Sequence, residues 1–537
     1  MTQVNPTVVV YRKRNNVGLL LLLVALSVGV ASYVLVGIGI DRTPPANWPW
    51  VAGIWAGLGL VAHVAVRVRL PYADPVLVPI VFTLAGIGLS MIHRIDVIND
   101  PPRHDATTQL IWVGLGVAAL VGVSVLVSDH KALQGYPYLL FLTGLALLLL
   151  PMTPLGVELN GSQIWIRVAG FSFQPAEVAK IVLSFAFAAY LAEKKDVLAL
   201  AGPRLLPGLT LPRARDLGPI AIMWAASMLV LVSQKDLGTS LLFFGLFVMM
   251  LYVATERLSW VLIGVAAFAL GAVVAYERFA HVRVRVSSWL DPFSDFDKNY
   301  QVIQGQFGLA WGGLLGRGWG QGRPGLTPLA KSDFITAAVG EELGIVGLMA
   351  VILLYGLIVA RGLRSALAVS DPFGKLLAAG LSFVFALQVF AIVGGVTRLL
   401  PLTGLTTPFM SQGGSSMVAN WIVLSVMLVI SHQARRPALQ PVAAGDIAVL
   451  DSETTQIIQA PGPRPEPAVR RTRQRPLWRG RHTPASPASA EAPQPGDDSP
   501  SGDESVTQLL PAPSVDAQAT QLVRVPPDGL KPPEERS

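Results

Sequence analysis

Between residues 17 and 431 the chain runs through about twelve apolar segments, each near the twenty residues that cross a bilayer as a helix. They lie at roughly 17–38, 49–67, 75–93, 108–128, 136–152, 175–192, 218–232, 239–254, 259–276, 335–361, 374–397 and 412–431. In hydrocarbon each backbone N–H and C=O must be satisfied within the protein, and a helix does this inside one segment. The expected fold is therefore an all-α polytopic membrane protein of about twelve transmembrane helices. Composition agrees: 14% of the residues are charged and 52% hydrophobic, whereas soluble domains are about 25% charged. The first run follows Arg12-Lys13-Arg14 and, at about 22 residues, exceeds the apolar core of a cleaved signal, so it is expected to stay as an anchor.

The chain contains no cysteine, which excludes a disulfide framework and a thiolate metal site. With the N-terminus in the cytoplasm, Arg12, Arg67, Lys131, Lys194, Arg361 and Lys375 fall inside, as cations in short loops prefer. An even number of spans then returns the C-terminus to the cytoplasm. Of the 41 prolines, 18 lie beyond residue 436 among Ser, Asp, Gln and Arg with no apolar period, so a disordered tail is expected there. Its basic stretch PRPEPAVRRTRQRPLWRGRH could meet anionic lipid, bind a partner or stay solvated.

Three connections on the expected outer face are long: 153–174, 277–334 and 398–411. The longest holds Arg278, Arg283, Arg285, Lys298, Arg317, Arg323 and Lys331. Either an anionic ligand compensates these cations, or Asp291, Asp295 and Asp297 pair with them in a loop long enough to escape the charge rule. No nucleotide-binding P-loop, zinc-protease motif or Gly-x-Ser-x-Gly elbow occurs. The string GLLGRGWGQGRPG (313–325) is glycine-rich but a weak phosphate signal, and no nucleic-acid partner is expected.

The polar residues beside the spans form several groups. In LNGSQIWIRVAGFSFQPAEVAKI (159–181) an Asn-Gly turn precedes Trp165 and Arg167, and Pro175 opens a helix carrying Glu177 and Lys180 on one face. That pair either pins two helices or lines a polar cavity, while Trp165 and Arg167 also suit an interfacial belt. Asp236 in SQKDLGTS is placed to cap the next helix. VTRLLPLTGLTTPFMSQGGSS, ending at Ser415 and Ser416, implies irregular backbone at membrane depth, which persists only inside protein or along a water-filled cavity. KSDFITAAVGEELG places Asp333, Glu341 and Glu342 at the edge of a span, the two glutamates reading chiefly as structural.

QPAEVAK, KDLGTS, YQVIQ with WGGLLGRGWGQG, SDFITAAVGEELGIVG and PLTGLTTPFMSQGGSS, in this order from about Phe82 to Gln433, resemble the RodA/FtsW family of shape, elongation, division and sporulation proteins. The likeness is greatest to its actinobacterial RodA branch, which carries an extra N-terminal pair of spans. The resemblance implies a cytoplasmic N-terminus (1–16), the extra pair (17–74), a catalytic core (75–433) with its large outer loop 277–334, and the Pro-rich cytoplasmic tail (434–537). It implies a peptidoglycan glycosyltransferase of the bacterial cytoplasmic membrane that polymerises lipid II at the outer face during elongation or division, beside a class B penicillin-binding protein. Asp333 matches the family's essential acid, as base or as holder of a divalent cation. Arg283, Arg285 and Lys331 would hold pyrophosphate, and Trp165, Glu177, Lys180, Asp236, Ser415 and Ser416 would line the substrate site. Ser332, Ser162, Lys235, Gln412 and Gly305 depart from the usual residues. A lipid II flippase would share the polar cavity and broken helices, and a scaffold for the transpeptidase would share its partner. The placing of the polar residues at outer loops favours the enzyme over the flippase, and the intact Asp333 motif favours it over the scaffold.

Overall fold

The computed structural model describes residues 15–98, 103–127, 129–159, 162–168, 171–199, 204–206, 209–210 and 214–436. The tail and its basic stretch lie outside these residues. The order of elements is α1 (Asn15–Asp41), α2 (Trp48–Arg69), α3 (Leu77–Ile98), α4 (Asp105–Leu126), α5 (Pro137–Leu149), β1 (Gly156–Leu159), β2 (Ser162–Val168), β3 (Phe171–Phe173), α6 (Pro175–Ala199), β4 (Arg204–Leu206), β5 (Leu209–Thr210), α7 (Ala214–Ser233), α8 (Leu237–Thr255), α9 (Leu258–Arg278), α10 (Ala280–Leu290), α11 (Phe296–Gly312), α12 (Ile335–Ala368), α13 (Pro372–Val396) and α14 (Gly414–Arg435). Among the described residues ten helices are long and apolar enough to cross a membrane, and two shorter apolar helices, Pro137–Met152 and Ala221–Ser233, accompany them. Each of the apolar runs is one of these helices, and the protein is a multi-pass membrane protein.

The helices α3, α6, α13 and α14 are largely buried, whereas α2 and α9 expose most of their apolar surface. An exposed apolar face is what a helix bordering lipid requires. The first pair is joined to the core through small residues: a Cβ on Gly86 of α3 would meet the α-carbon of Gly29 in α1 at 2.8 Å. Beside this contact begins a run of rings. Trp55 of α2 meets Phe82 of α3 at 5.3 Å, Phe82 meets Trp421 of α14 at 5.5 Å, and Trp421 meets Phe409 at 6.1 Å. Edge-to-face packing of this kind adds to the energy of burial.

Two of the long connections contain more regular structure than their composition announces. In the first, β1, β2 and β3 form a three-stranded antiparallel sheet in that order, with Val157 opposite Trp165 and Ile166 opposite Phe173. The sequence held a signal for it, since Asn-Gly between two runs rich in β-branched and aromatic residues favours a hairpin. The 277–334 connection contains α10 and α11, and α11 packs along the start of α12. α12 itself breaks at Gly344, where φ is 72°. A side chain there would be strained, and the break leaves room for the backbone of Leu314–Gly316.

At the opposite end of the bundle Asp74 is buried and receives Arg435 at 2.6 Å and Arg361 at 3.6 Å. The Asp74 N–H donates to Ser431 Oγ at 2.8 Å. The segment between α2 and α3 is thereby fastened to the last turn of α14.

Candidate active site

The segment 398–413 has no helix, and several elements converge on it. Gln388 of α13 donates to the Thr406 carbonyl at 2.9 Å, and Thr406 Oγ1 bonds Ser416 Oγ at the start of α14 at 2.9 Å. Ser411 Oγ donates to the Ser332 carbonyl at 2.6 Å, and the Gln412 N–H donates to the Lys331 carbonyl at 2.8 Å. From α10, Arg285 Nη1 donates to the carbonyls of Leu402 and Thr403 at 2.9 and 3.0 Å. The expected irregular backbone is therefore present and held inside protein. Non-glycine residues with positive φ border the same region: Lys235 (59°), Leu329 (56°), Arg398 (60°) and Phe409 (64°). Strain of this sort needs a surrounding that over-determines it.

Asp333 stands just before α12 and is half-buried. It faces Arg285 across Gly404, where an added Cβ would lie 3.8 Å from Arg285 Nη2 and 3.9 Å from Asp333 Oδ2. Gly404 has φ 74°, a left-handed conformation that favours glycine. Burial pushes the Asp333 carboxyl up to about 6, against the opposing pull of Arg285 and the Ser332 hydroxyl. An acid so placed takes and returns a proton near neutral pH, which is what a general base requires.

Asp236 caps α8, its Oδ1 accepting from the Thr239 N–H at 3.0 Å. Its Oδ2 is buried without a hydrogen-bond partner. Burial raises its carboxyl above the usual range, opposed by the Thr239 bond and, more weakly, by Arg285. Glu177 and Lys180 form a 2.8 Å pair in α6, and Lys180 reaches Gln388 Oε1 at 3.4 Å. The pair thus joins α6 to α13 and, through Gln388, to the 398–413 segment. Ser415 and Ser416 are both buried at the head of α14.

The other expected site residues lie elsewhere. Lys331 is buried between Asp96 and Asp105, its Nζ 2.7 Å from Asp105 Oδ2 and bonded also to Asp96 Oδ1, so its charge is already compensated. Arg283 is exposed and donates to the Glu277 carbonyl at 2.9 Å. Trp165 is half-buried in β2, in the sheet that abuts α6 and α14. The glycine-rich segment has its N–H groups engaged: Arg317 and Gly318 donate to the carbonyls of Glu341 and Glu342 at 3.1 and 2.8 Å, and Gly320 to Glu342 Oε2 at 3.0 Å. It is an architectural loop in this structure rather than a phosphate cradle. Gly404, Gln388 and Thr406 join the site without having been singled out. The motif around Gly404 was visible, but which of its glycines meets the acid depends on tertiary contact.

Among the described residues no group of three His, Cys, Asp or Glu could hold a metal by itself. Mg²⁺ is commonly bound by one or two carboxylates with substrate phosphates and water. Asp333 fits as a single protein ligand of that kind, supplying one oxygen where a pyrophosphate would supply others.

A profile of the cell cycle protein family of FtsW, RodA and SpoVE matches residues 75–436. A protein of Mycobacterium leprae named peptidoglycan glycosyltransferase RodA is 47% identical over 471 residues, covering 85% of this chain and 99% of its own. Stage V sporulation protein E of Bacillus subtilis is 33% identical over 373 residues, covering 67% and 98%. A chain from a solved structure described as "Structural coordination of polymerization and crosslinking by a peptidoglycan synthase complex" is 26% identical, with a TM-score of 0.55 over 68% of this chain and 99% of that one.

Proposed function

The chain belongs to the FtsW/RodA/SpoVE family of cell cycle proteins, and from that premise we propose that it is a peptidoglycan glycosyltransferase whose base is Asp333. Its substrate is lipid II, and its product is the glycan strand. The attacking sugar hydroxyl gives its proton to Asp333 as its oxygen bonds to the anomeric carbon of the donor. The bond from that carbon to the pyrophosphate oxygen breaks, and the lipid-linked pyrophosphate leaves with the electron pair. Arg285 provides counter-charge for it from across Gly404, and a divalent cation, when bound at Asp333, would add electrostatic stabilisation to the same leaving group. The Glu177–Lys180 pair extends a polar wall through Gln388 and Thr406, and Asp236 caps α8 near Glu177 and Arg285.

The observation that carries this reading is the Asp333 carboxylate set opposite Arg285 across Gly404, just before a membrane helix. A polyprenyl substrate has its tail in lipid and its sugars in water, so chemistry belongs at that boundary. The orientation proposed places both termini in the cytoplasm and this end outside. Single cysteines at Ser294 and Ser452 report it cleanly in a chain without native cysteine. An impermeant reagent should label intact cells only at position 294; labelling at 452 alone would reverse the topology. For the chemistry, purified Asp333→Asn given fluorescent lipid II should remain folded and make no glycan, and normal polymer from it would end the assignment. A class B penicillin-binding protein is the proposed crosslinking partner. It should co-purify with the chain and raise its polymerisation rate; failure of both would remove it.

A further inference from the structure

Two residues before the proposed base, Lys331 sits in an unusual place for a cation near an anionic substrate. Its ammonium is buried between Asp96, in the last turn of α3, and Asp105, the first residue of α4. Asp96 is itself fixed, because its other oxygen accepts the Ala106 N–H at 2.7 Å and so caps α4. The backbone of the same short segment is tied on a different side. The Lys331 carbonyl accepts from the Gln412 N–H at 2.8 Å and the Ser332 carbonyl from Ser411 Oγ at 2.6 Å. Ser411 is held in turn by Gln109 of α4, whose Nε2 donates to its carbonyl at 3.0 Å. The helix α4 thus grips the segment twice, through Asp105 and through Gln109.

We propose that Lys331, clamped by Asp96 and Asp105, is a positioning residue that sets where the Asp333 carboxylate stands relative to Arg285. The inference rests on Asp333 being the base. One ammonium between two carboxylates has no charge left for a pyrophosphate, but it fixes the chain two residues from the reacting group. On the other side of that group, Arg285 is bound to Leu402 and Thr403, in the same segment that holds Ser332 through Ser411. Base and counter-charge therefore share one frame, and the Lys331 clamp anchors that frame to α3 and α4. Without the clamp, residues 331 and 332 keep their backbone bonds, but the segment loses its side-chain tether.

The test is steady-state polymerisation of lipid II by the full chain with its transpeptidase partner, comparing kcat with KM. Lys331→Met should lower kcat by about 10²-fold, the loss associated with roughly 1 Å of misplacement, while KM stays close to its original value. Lys331→Arg should recover most of the rate, because it restores the charge between the two acids. Lys331→Met combined with Asp96→Asn should be little worse than the worse single variant, as residues of one device are not additive. A raised KM with unchanged kcat in Lys331→Met, or full additivity in the double variant, would assign Lys331 to substrate and overturn the clamp. If Lys331→Met does not fold, Asp105→Asn decides: a moderate fall in kcat with steady KM supports the clamp, and a change in KM alone or in neither overturns it. Asp333→Asn is run beside them. An active Asp333→Asn removes the base itself, whereas a dead one with unaffected Lys331 variants removes only the clamp.

Discussion

Asp333 and Glu342 lie within one short stretch of sequence, yet they are opposite kinds of acid. Glu342 is fully buried with both oxygens engaged, Oε1 by Arg94 at 2.8 Å and Oε2 by the Gly320 N–H at 3.0 Å. Its neighbour Glu341 accepts the Arg323 N–H at 2.5 Å. Together they hold the glycine-rich loop against α12. Asp333 is only half-buried and faces an arginine across a gap rather than in an ion pair. A carboxylate held by a buried arginine on one oxygen and a backbone N–H on the other stabilises structure. One that faces its cation across a gap is open to a reacting group.

The largest effect that would sharpen this contrast is on rate. Asp333→Asn should reduce polymerisation by about 10²–10⁴-fold, the usual contribution of a general base. Its stability should not fall. A folded-state carboxyl raised to about 6 binds protons more readily than the unfolded chain does, so stability declines as pH rises from about 4 to 6 and Asn removes that burden. Thermal unfolding in detergent checks the second half, and a lower midpoint for Asp333→Asn would erase the distinction from Glu342.

Glu342→Gln should show the reverse pattern. It leaves Arg94 buried without its counter-charge, which is expected to cost about 3–5 kcal/mol. Arg94→Met in the same background should restore part of that loss. The activity of whatever folded protein remains should fall far less than in Asp333→Asn, which a rate normalised to monodisperse protein would show. Equal losses of specific activity in the two variants would break the comparison.

These two acids also mark where sequence reading stopped. The spans were legible because an apolar run of about twenty residues has few alternative folds, and the capping role of Asp236 was legible because it depends on the three residues that follow. The same locality explains Glu177 with Lys180. In the sequence Lys331 looks like one more loop cation, because its partners Asp96 and Asp105 lie far away along the chain. Arg283 and Arg285 looked equivalent as a pair of loop cations, but α10 turns one to the solvent and the other to Leu402. The strands within the 153–174 connection do not stand out in the sequence, because short strands carry too little apolar length beside membrane helices.

A smaller effect concerns pH. With a carboxyl near 6, the rate of polymerisation should be level above neutrality and fall about tenfold per pH unit well below the midpoint. Arg285 favours the charged form, so Arg285→Ala should move the midpoint upward as well as weakening use of the pyrophosphate substrate. Rate profiles of the two proteins on one lipid II preparation decide this. A midpoint that stays in place would separate Arg285 from the base.

The smallest expected effect lies at Asp295, in the same outer connection as Asp333. Its side chain accepts the Lys298 N–H at 3.2 Å at the start of α11 and meets Lys298 Nζ at 2.6 Å. Both side chains are largely open to solvent, and the Lys298 bond holds the Asp295 carboxyl below the usual range. What stability this supplies is present above the unfolded pKa and is lost as pH falls. Asparagine can accept the same backbone N–H as a helix cap, and an exposed ion pair contributes little, so Asp295→Asn should leave the rate within about twofold. The variant carries the same change of charge as Asp333→Asn, in the same connection, without the burial or the facing arginine. If it were as inactive as Asp333→Asn, the negative charge of the outer connection as a whole would matter more than one placed carboxylate, and the site would have to be sought in the field of the loop.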